Sequence, residues 1–275
     1  MDYRLLMDVS PSSRRRFGVE VETSTPYAEV ARIFETSVPG NFRRVIYKDF
    51  NCPSEDRNKW YVKTDGSTES EVTTPAVTLR HREYARLPQL LKSMRGEGVR
   101  VTGRDGLHVH VEARDVPADR LLISWLLLER AFVSMFPAHR FKSKPDTLVY
   151  DSGGKYAKRY IYRERGDSGM RIIEHYERTL ARSTYDKYLA MSLRNHAEDG
   201  TVEFRMSEGS LDFRHVDCLV RTLLCFVEYA KRHDMVVALM TTMRERPGHL
   251  CEAMRIKERK ILEWIEDRTA EHGER

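Results

Sequence analysis

The chain has 275 residues, of which 40% are hydrophobic and 32% charged, with a formal net charge of +5. That is enough apolar material for a substantial core, and no long Pro/Gly/Ser linker divides it, so a single domain over residues 1–275 is expected, without repeats or low-complexity tracts. The most apolar run, Leu121 to Leu128, is short and bracketed by Asp119, Arg120, Glu129 and Arg130; this suits a buried helix, not a membrane span. No apolar stretch of signal-peptide length precedes Arg14-Arg15-Arg16, so a soluble, cytoplasmic protein is expected.

Gly-Val-Glu-Val-Glu at residues 18–22 reads as a strand, in which alternation sends Val19 and Val21 to the core and puts Glu20 and Glu22 together on the other face. Two adjacent carboxylates repel, and a hard divalent cation such as Mg²⁺ between them relieves the repulsion. Thr25 is placed to cap a helix whose first position is Pro26, carrying Val30, Ile33, Phe34 and Val38 at helical spacing. A polar loop leads to a strand at Trp60–Thr64, a turn at Asp65-Gly66, and a strand ending before Pro75 that aligns Glu69, Glu71 and Thr73.

Leu79, Tyr84, Leu87, Leu90, Leu91 and Met94 mark a helix over 79–95, with Pro88 implying a kink or late start, and Gly96 and Gly98 ending it. Strands are expected at Val99–Thr102 and at Gly106–Glu112. In the latter, Leu107, Val109 and Val111 face inward while His108, His110 and Glu112 form a second polar stripe. Residues 117–136 read as the longest apolar helix. The stretch from Ala138 to Gly166 has poor periodicity and reads as a basic insertion containing Ser152-Gly-Gly-Lys155. Arg140 to Arg165 alone holds eight Lys/Arg against three Asp/Glu. An anionic partner is implied, and such a loop suits a mobile lid over phosphates, with Arg140, Lys155 and Arg159 in reach of them.

Helical residues at about 169–181 lead to Tyr188–Leu193, and then to Thr201-Val-Glu-Phe-Arg-Met206, which turns Val202, Phe204 and Met206 inward and leaves Glu203 and Arg205 outside. Asp212 caps a long helix through Val227, a last helix spans about 250–265, and the tail after Arg268 is expected to fray. Cys52, Cys218, Cys225 and Cys251 form no CxxC pair, so neither a zinc ribbon nor a redox motif is indicated.

The strands with outward Glu20/Glu22, Glu69/Glu71, His108/His110 and Glu203/Arg205 predict an α+β fold in which one concave face of an antiparallel sheet is polar and helices pack on the convex face. Three readings of such a face stand side by side: metal and phosphate chemistry in a ligase, a metal-dependent phosphodiesterase or nuclease, and a nucleic-acid-binding module with Tyr150, Tyr156, Tyr160 and Tyr162 as stacking partners. Phe17-Gly-Val-Glu-Val-Glu, Asp65-Gly-Ser with Glu71-Val-Thr-Thr-Pro, Gly106-Leu-His-Val-His, and Thr201-Val-Glu-Phe-Arg with Gly209-Ser-Leu-Asp212 occur in this order across residues 17–212. The ordered set resembles the amidoligase family of carboxylate–amine ligases, relatives of glutamine synthetase and glutamate–cysteine ligase.

The resemblance implies a glutamine-synthetase-like curved sheet. It implies ATP with Mg²⁺ or Mn²⁺, and an acyl phosphate displaced by an amine, with amino acids, peptides, proteins or polyamines as the open choices for the carboxylate and the amine. It assigns Glu20, Glu22, Glu71, His108 and Glu203 to metal, His110 to the nucleotide, and Arg205 to the transferred phosphoryl group, with Glu20, Glu203 and Arg205 as the catalytic set. Lys187-Tyr188 stands where the family commonly has Arg-Tyr, and Ser192 where it tends to have Asn.

Overall fold

A computed structural model of the protein describes residues 14–38, 42–45, 58–64, 68–141, 184, 189–232, 250–251, 254 and 256–273. The Asp65-Gly66 turn, the helix expected at 169–181, Lys155, Arg159, Lys187-Tyr188 and the four loop tyrosines lie outside these residues. The chain divides into two compact units, residues 13–111 with 207–220, and residues 1–12, 112–206 and 221–275.

In the first unit, the strands β1 (Phe17–Thr23), β2 (Phe42–Val45), β3 (Trp60–Lys63), β4 (Ser70–Thr73) and β5 (Gly106–Glu112) form a sheet in the order β2-β3-β4-β1-β5. The pairs β3·β4, β4·β1 and β1·β5 are antiparallel. Strand β2 falls within the expected polar loop, and it runs parallel to β3, so the sheet is mixed. Alternation holds on both faces. Val19, Val21, Trp60, Val62, Val72, Leu107 and Val109 are all buried on one of them. Two helices, α1 (Tyr27–Ser37) and α2 (Arg82–Gly96), cover that apolar face, with Phe34 of α1 against Trp60 and Tyr84 of α2 edge-on to Phe17.

Several local details depart from expectation for identifiable reasons. Thr25 does not cap α1, because its Oγ1 accepts from Arg100 N–H at 2.7 Å, and Pro26 occupies the cap position without a side-chain bond. Helix α2 starts at Arg82, where His81 Nδ1 accepts from Glu83 N–H, and it retains Pro88 in its interior. Residues 99–102 are not a strand. They follow Gly98 at φ 79° and are held by side chains of their neighbours. Asp105, almost fully buried, accepts through Oδ2 from Thr102 N–H at 2.6 Å and from Ser24 Oγ at 2.7 Å. Gly209 packs so close that an added Cβ would meet Val101 Cγ1 at 2.6 Å, and its N–H donates to Asp105 O. The Gly209-Ser-Leu-Asp212 motif thus secures the loop that enters β5.

In the second unit, the short strand β6 (Met191–Ser192) pairs antiparallel with β7 (Thr201–Glu208) after a single helical turn, α4 (His196–Asp199). Gly200 ends that turn at φ 67°, a left-handed conformation that favours glycine. Trp125 of helix α3 (Ala118–Val133) is stacked on Phe132 and tilted against Phe204 of β7, with Phe226 edge-on. Among the described residues the longest helix is the amphipathic α5 (Phe213–Arg232); Asp212 caps it by accepting from Arg214 N–H at 3.0 Å. The last helix, α6 (Arg259–His272), runs past the expected fraying point. Arg268, only 9% exposed, donates Nε–H to Met135 O and lies over the Phe136 ring, which fixes the final turns.

Two outcomes follow from this packing. Glu83 is 2% exposed and accepts the Trp60 indole N–H at 2.8 Å. Glu83→Ala should therefore lower stability by about 1–3 kcal/mol, and Glu83→Gln by less because it keeps an acceptor, as read by denaturant unfolding. Burial raises the Cys225 thiol pKa, helped by Glu258 and Glu228, and Cys218 is buried as well. Iodoacetamide at pH 8 should label Cys251 well ahead of Cys218 and Cys225 in the native protein; equal native labelling of the three would contradict the described packing of α5.

Candidate metal centre

The polar face of the first unit is a grid set by strand register. Lys63 of β3 is opposite Glu71 of β4, which is opposite Glu22 of β1. One step along, Tyr61, Thr73, Glu20 and His108 line up in the same way, and His110 lies opposite Gly18. Because residues two apart share a face, these side chains stand on the side opposite the helices. Three carboxylates, two imidazoles and one ammonium are thereby collected within a few strand spacings. Glu69, placed with them by sequence alternation, lies before the start of β4 and is exposed.

The group has two unlike ends. At one, Lys63 Nζ is 2.7 Å from Glu71 Oε1 and 3.7 Å from Glu20 Oε1. Thr73 Oγ1 donates to the same Glu71 oxygen at 3.1 Å. At the other end, His108 is 2% exposed and sits with Nδ1 3.6 Å from Glu20 Oε2 and Nε2 3.8 Å from Glu22 Oε1. Neither distance is a hydrogen bond, and Nδ1 is a buried polar atom without a partner. Glu22 is anchored from its far side, where Oε2 accepts Gly106 N–H at 2.6 Å. His110, at the rim, has Nε2 3.5 Å from Glu20 Oε1, and its side chain keeps 24% of its exposure.

The charges on this face shift one another. Burial raises the Glu20 carboxyl pKa, but the positive charges of Lys63 and His110 and the polar imidazoles of His108 and His110 beside it together outweigh burial and hold the group well below the usual carboxylate range. Glu71 moves the other way, raised by burial and by the negative charge of Glu20 against the opposing pull of Lys63. In linkage terms, the Glu20 contribution to stability is present above the unfolded carboxylate pKa and is lost as pH falls through its depressed folded value. The Glu71 contribution is present below the unfolded value and is lost as pH rises through its elevated one.

Such a donor set suits a divalent ion. Carboxylate oxygens are ligands of Mg²⁺, Mn²⁺ and Zn²⁺ alike, and an imidazole nitrogen suits the softer of these ions. The 3.6 Å between His108 Nδ1 and Glu20 Oε2 is close to the spacing of two ligands on one ion, about 3.0–3.6 Å for bonds of ~2.1 Å at angles of about 90–120°. The unsatisfied buried Nδ1 is the observation that a bound cation explains. Glu22 then stands behind the imidazole, in the position from which a carboxylate orients a ligating histidine.

In the second unit, Glu203 and Arg205 project from the same face of β7 and form an ion pair between Glu203 Oε1 and Arg205 Nη1. Glu203 is 6% exposed and lies opposite Ser192 in the β6·β7 register. Arg140, grouped by sequence with the basic insertion, is 1% exposed at the end of a 3₁₀ turn, where Nη2 donates to the Arg205 main-chain carbonyl at 3.4 Å. Sequence reasoning passed over Lys63. Its place in Trp60-Tyr-Val-Lys63 marks it as sharing a face with Tyr61, but its cross-strand partner depends on a connection whose length no two-residue turn rule covers.

Comparison with known proteins supplies a family. No curated protein matches the chain. Among solved structures, a bifunctional glutathione synthetase from Pasteurella multocida aligns with 95% of this chain and 47% of its own, at 13% identity and a TM-score of 0.43. The chain thus spans about half the length of that protein, and a likeness so distant carries no argument about function. Residues 13–227 match the family model described as "Putative amidoligase enzyme". That match takes in β1 through most of α5, with every motif of the polar face inside it, and the chain belongs to the amidoligase family.

Proposed function

We propose that the protein is an ATP-dependent carboxylate–amine ligase that makes an amide or isopeptide bond through an acyl phosphate. The observation that carries this reading is the His108 imidazole, buried with an unpartnered nitrogen beside Glu20 on a face that also holds Glu22, Glu71 and His110, in a member of the amidoligase family. Glu20 and His108 would hold Mg²⁺ or Mn²⁺, with Glu22 behind the imidazole; Glu71, which the resemblance also assigns to metal, is met by Lys63, and Glu203 is a further candidate on its Thr201-Val-Glu-Phe-Arg motif alone. When bound, the ion neutralises phosphate charge and so permits phosphoryl transfer to a carboxylate oxygen.

The chain's own groups have separable tasks in this scheme. His110, at the rim and directed at Glu20, donates an N–H to a nucleotide phosphate oxygen. Glu203 holds the Arg205 guanidinium, whose planar donors suit a transferring phosphoryl group. Gly106 N–H keeps Glu22 in place at the imidazole, and the Ser24–Asp105–Thr102 bonds keep Gly106 in place. A carboxylate becomes an acyl donor once one of its oxygens leaves as phosphate, so no serine or cysteine nucleophile is required. The substrates are a carboxylate and an amine, the latter from an amino acid, peptide, protein or polyamine; Lys155 and Arg159 of the basic segment are further candidates for the phosphates.

The test is product analysis. With Mg-ATP, hydroxylamine and a panel of amino acids and short peptides, the protein should release ADP and form a hydroxamate with the matching carboxylate. AMP with pyrophosphate would replace the acyl phosphate by an adenylate, and Mg-dependent cleavage of DNA or RNA without ATP would replace the ligase by a nuclease. Glu20→Gln and Glu203→Gln should each weaken Mg-ATP binding, by on the order of 100-fold in calorimetry, with an unchanged circular dichroism spectrum. Binding equal to the parent in both variants would remove these carboxylates from the site.

A further inference from the structure

The two ends of the carboxylate group differ in how their charge is met. Glu20 sends Oε2 toward the unpartnered His108 Nδ1, and Oε1 toward Lys63 Nζ at 3.7 Å. Glu71 is 7% exposed, and its Oε1 takes hydrogen bonds from Lys63 Nζ at 2.7 Å and Thr73 Oγ1 at 3.1 Å. Register makes this arrangement a property of the sheet, since Lys63 and Glu71 are direct cross-strand partners. The ammonium bridges two acidic side chains on neighbouring strands, as a second divalent ion would.

We propose that Lys63 is a built-in cation that occupies the Glu20–Glu71 position, so that this end takes no divalent ion and the exchangeable metal is confined to the Glu20–His108 end. This rests on the metal reading given above. An ammonium on a four-carbon stem is a compact point charge with three donors, suited to bridging two carboxylates. It differs from a divalent ion in two respects that matter here. It is present whether or not metal is supplied, and it places one positive charge, not two, beside the oxygens. Lys63 is therefore a positioning residue that sets the number of metal ions and holds Glu20 Oε1, leaving Oε2 to the exchangeable ion.

Metal counting tests this directly. Mn²⁺ alone is titrated into the parent, Lys63→Met and Lys63→Arg, with free Mn²⁺ read by electron paramagnetic resonance and folding checked by circular dichroism. Lys63→Met should bind one more Mn²⁺ per chain than the parent, and Lys63→Arg, which restores the charge, should return to the parent count. The double variant Lys63→Met/Glu71→Gln should also return to it, because the vacated position then lacks a carboxylate. Should methionine impair folding, Lys63→Gln keeps a polar tip among the carboxylates and is expected to show the same extra ion. Parent binding with an unchanged count in the folded Lys63→Met or Lys63→Gln protein overturns the role of Lys63 and leaves the metal site standing. Absence of Mn²⁺ binding by the parent overturns both.

Discussion

Repulsion among carboxylates on one sheet face is the constraint to which the rest of the first unit answers. Register puts Glu22 beside Glu71 and Glu20 one step along, and burial raises the cost of leaving them as bare anions. The chain meets this charge with different devices at different points. Lys63 neutralises one end, Gly106 N–H binds Glu22, and two imidazoles face Glu20. The sheet supports this arrangement because its opposite face is mostly apolar, its buried Thr23 and Ser70 hydrogen-bonded to each other, and is covered by α1 and α2. A flat polar face that is easily solvated would need none of these devices.

What remains unmet is specific. His108 is as buried as the core residues around it, and its Nδ1 has no partner. A native fold rarely leaves such a nitrogen orphaned, and its distance to Glu20 suits a shared ion. In the proposed function, an ion held there among the acidic side chains would assist phosphoryl transfer onto a carboxylate. The loop leading into β5 belongs to this account, because Asp105 and Gly209 fix the position of the N–H that anchors Glu22.

The parts of this picture that were legible from sequence are those governed by period-two alternation. The partition of Val19, Val21, Leu107 and Val109 from Glu20, Glu22, His108 and His110 was readable without coordinates, as were Asp212 as a cap and the strand at 201–206. Properties that depend on long-range pairing were not. Strand β2 has few apolar residues and exists because β3 offers a parallel edge, and Thr25 was claimed by the Arg100 backbone 75 residues away. Val99–Thr102 has the composition of a strand, yet Gly98 and the Asp105 turn bend it into a loop. Lys63 escaped notice because a lone lysine on a strand is ordinary; its meaning lies in the register that sets it against Glu71.

The central claim is that His108 Nδ1 and Glu20 share a divalent ion. Electron spin echo envelope modulation on the Mn²⁺-loaded protein reads nitrogen ligands to the metal directly. The account predicts modulation from one histidine nitrogen, abolished in His108→Gln and retained in His110→Gln. A Mn²⁺-loaded parent without nitrogen modulation, or modulation that survives in His108→Gln, would contradict it.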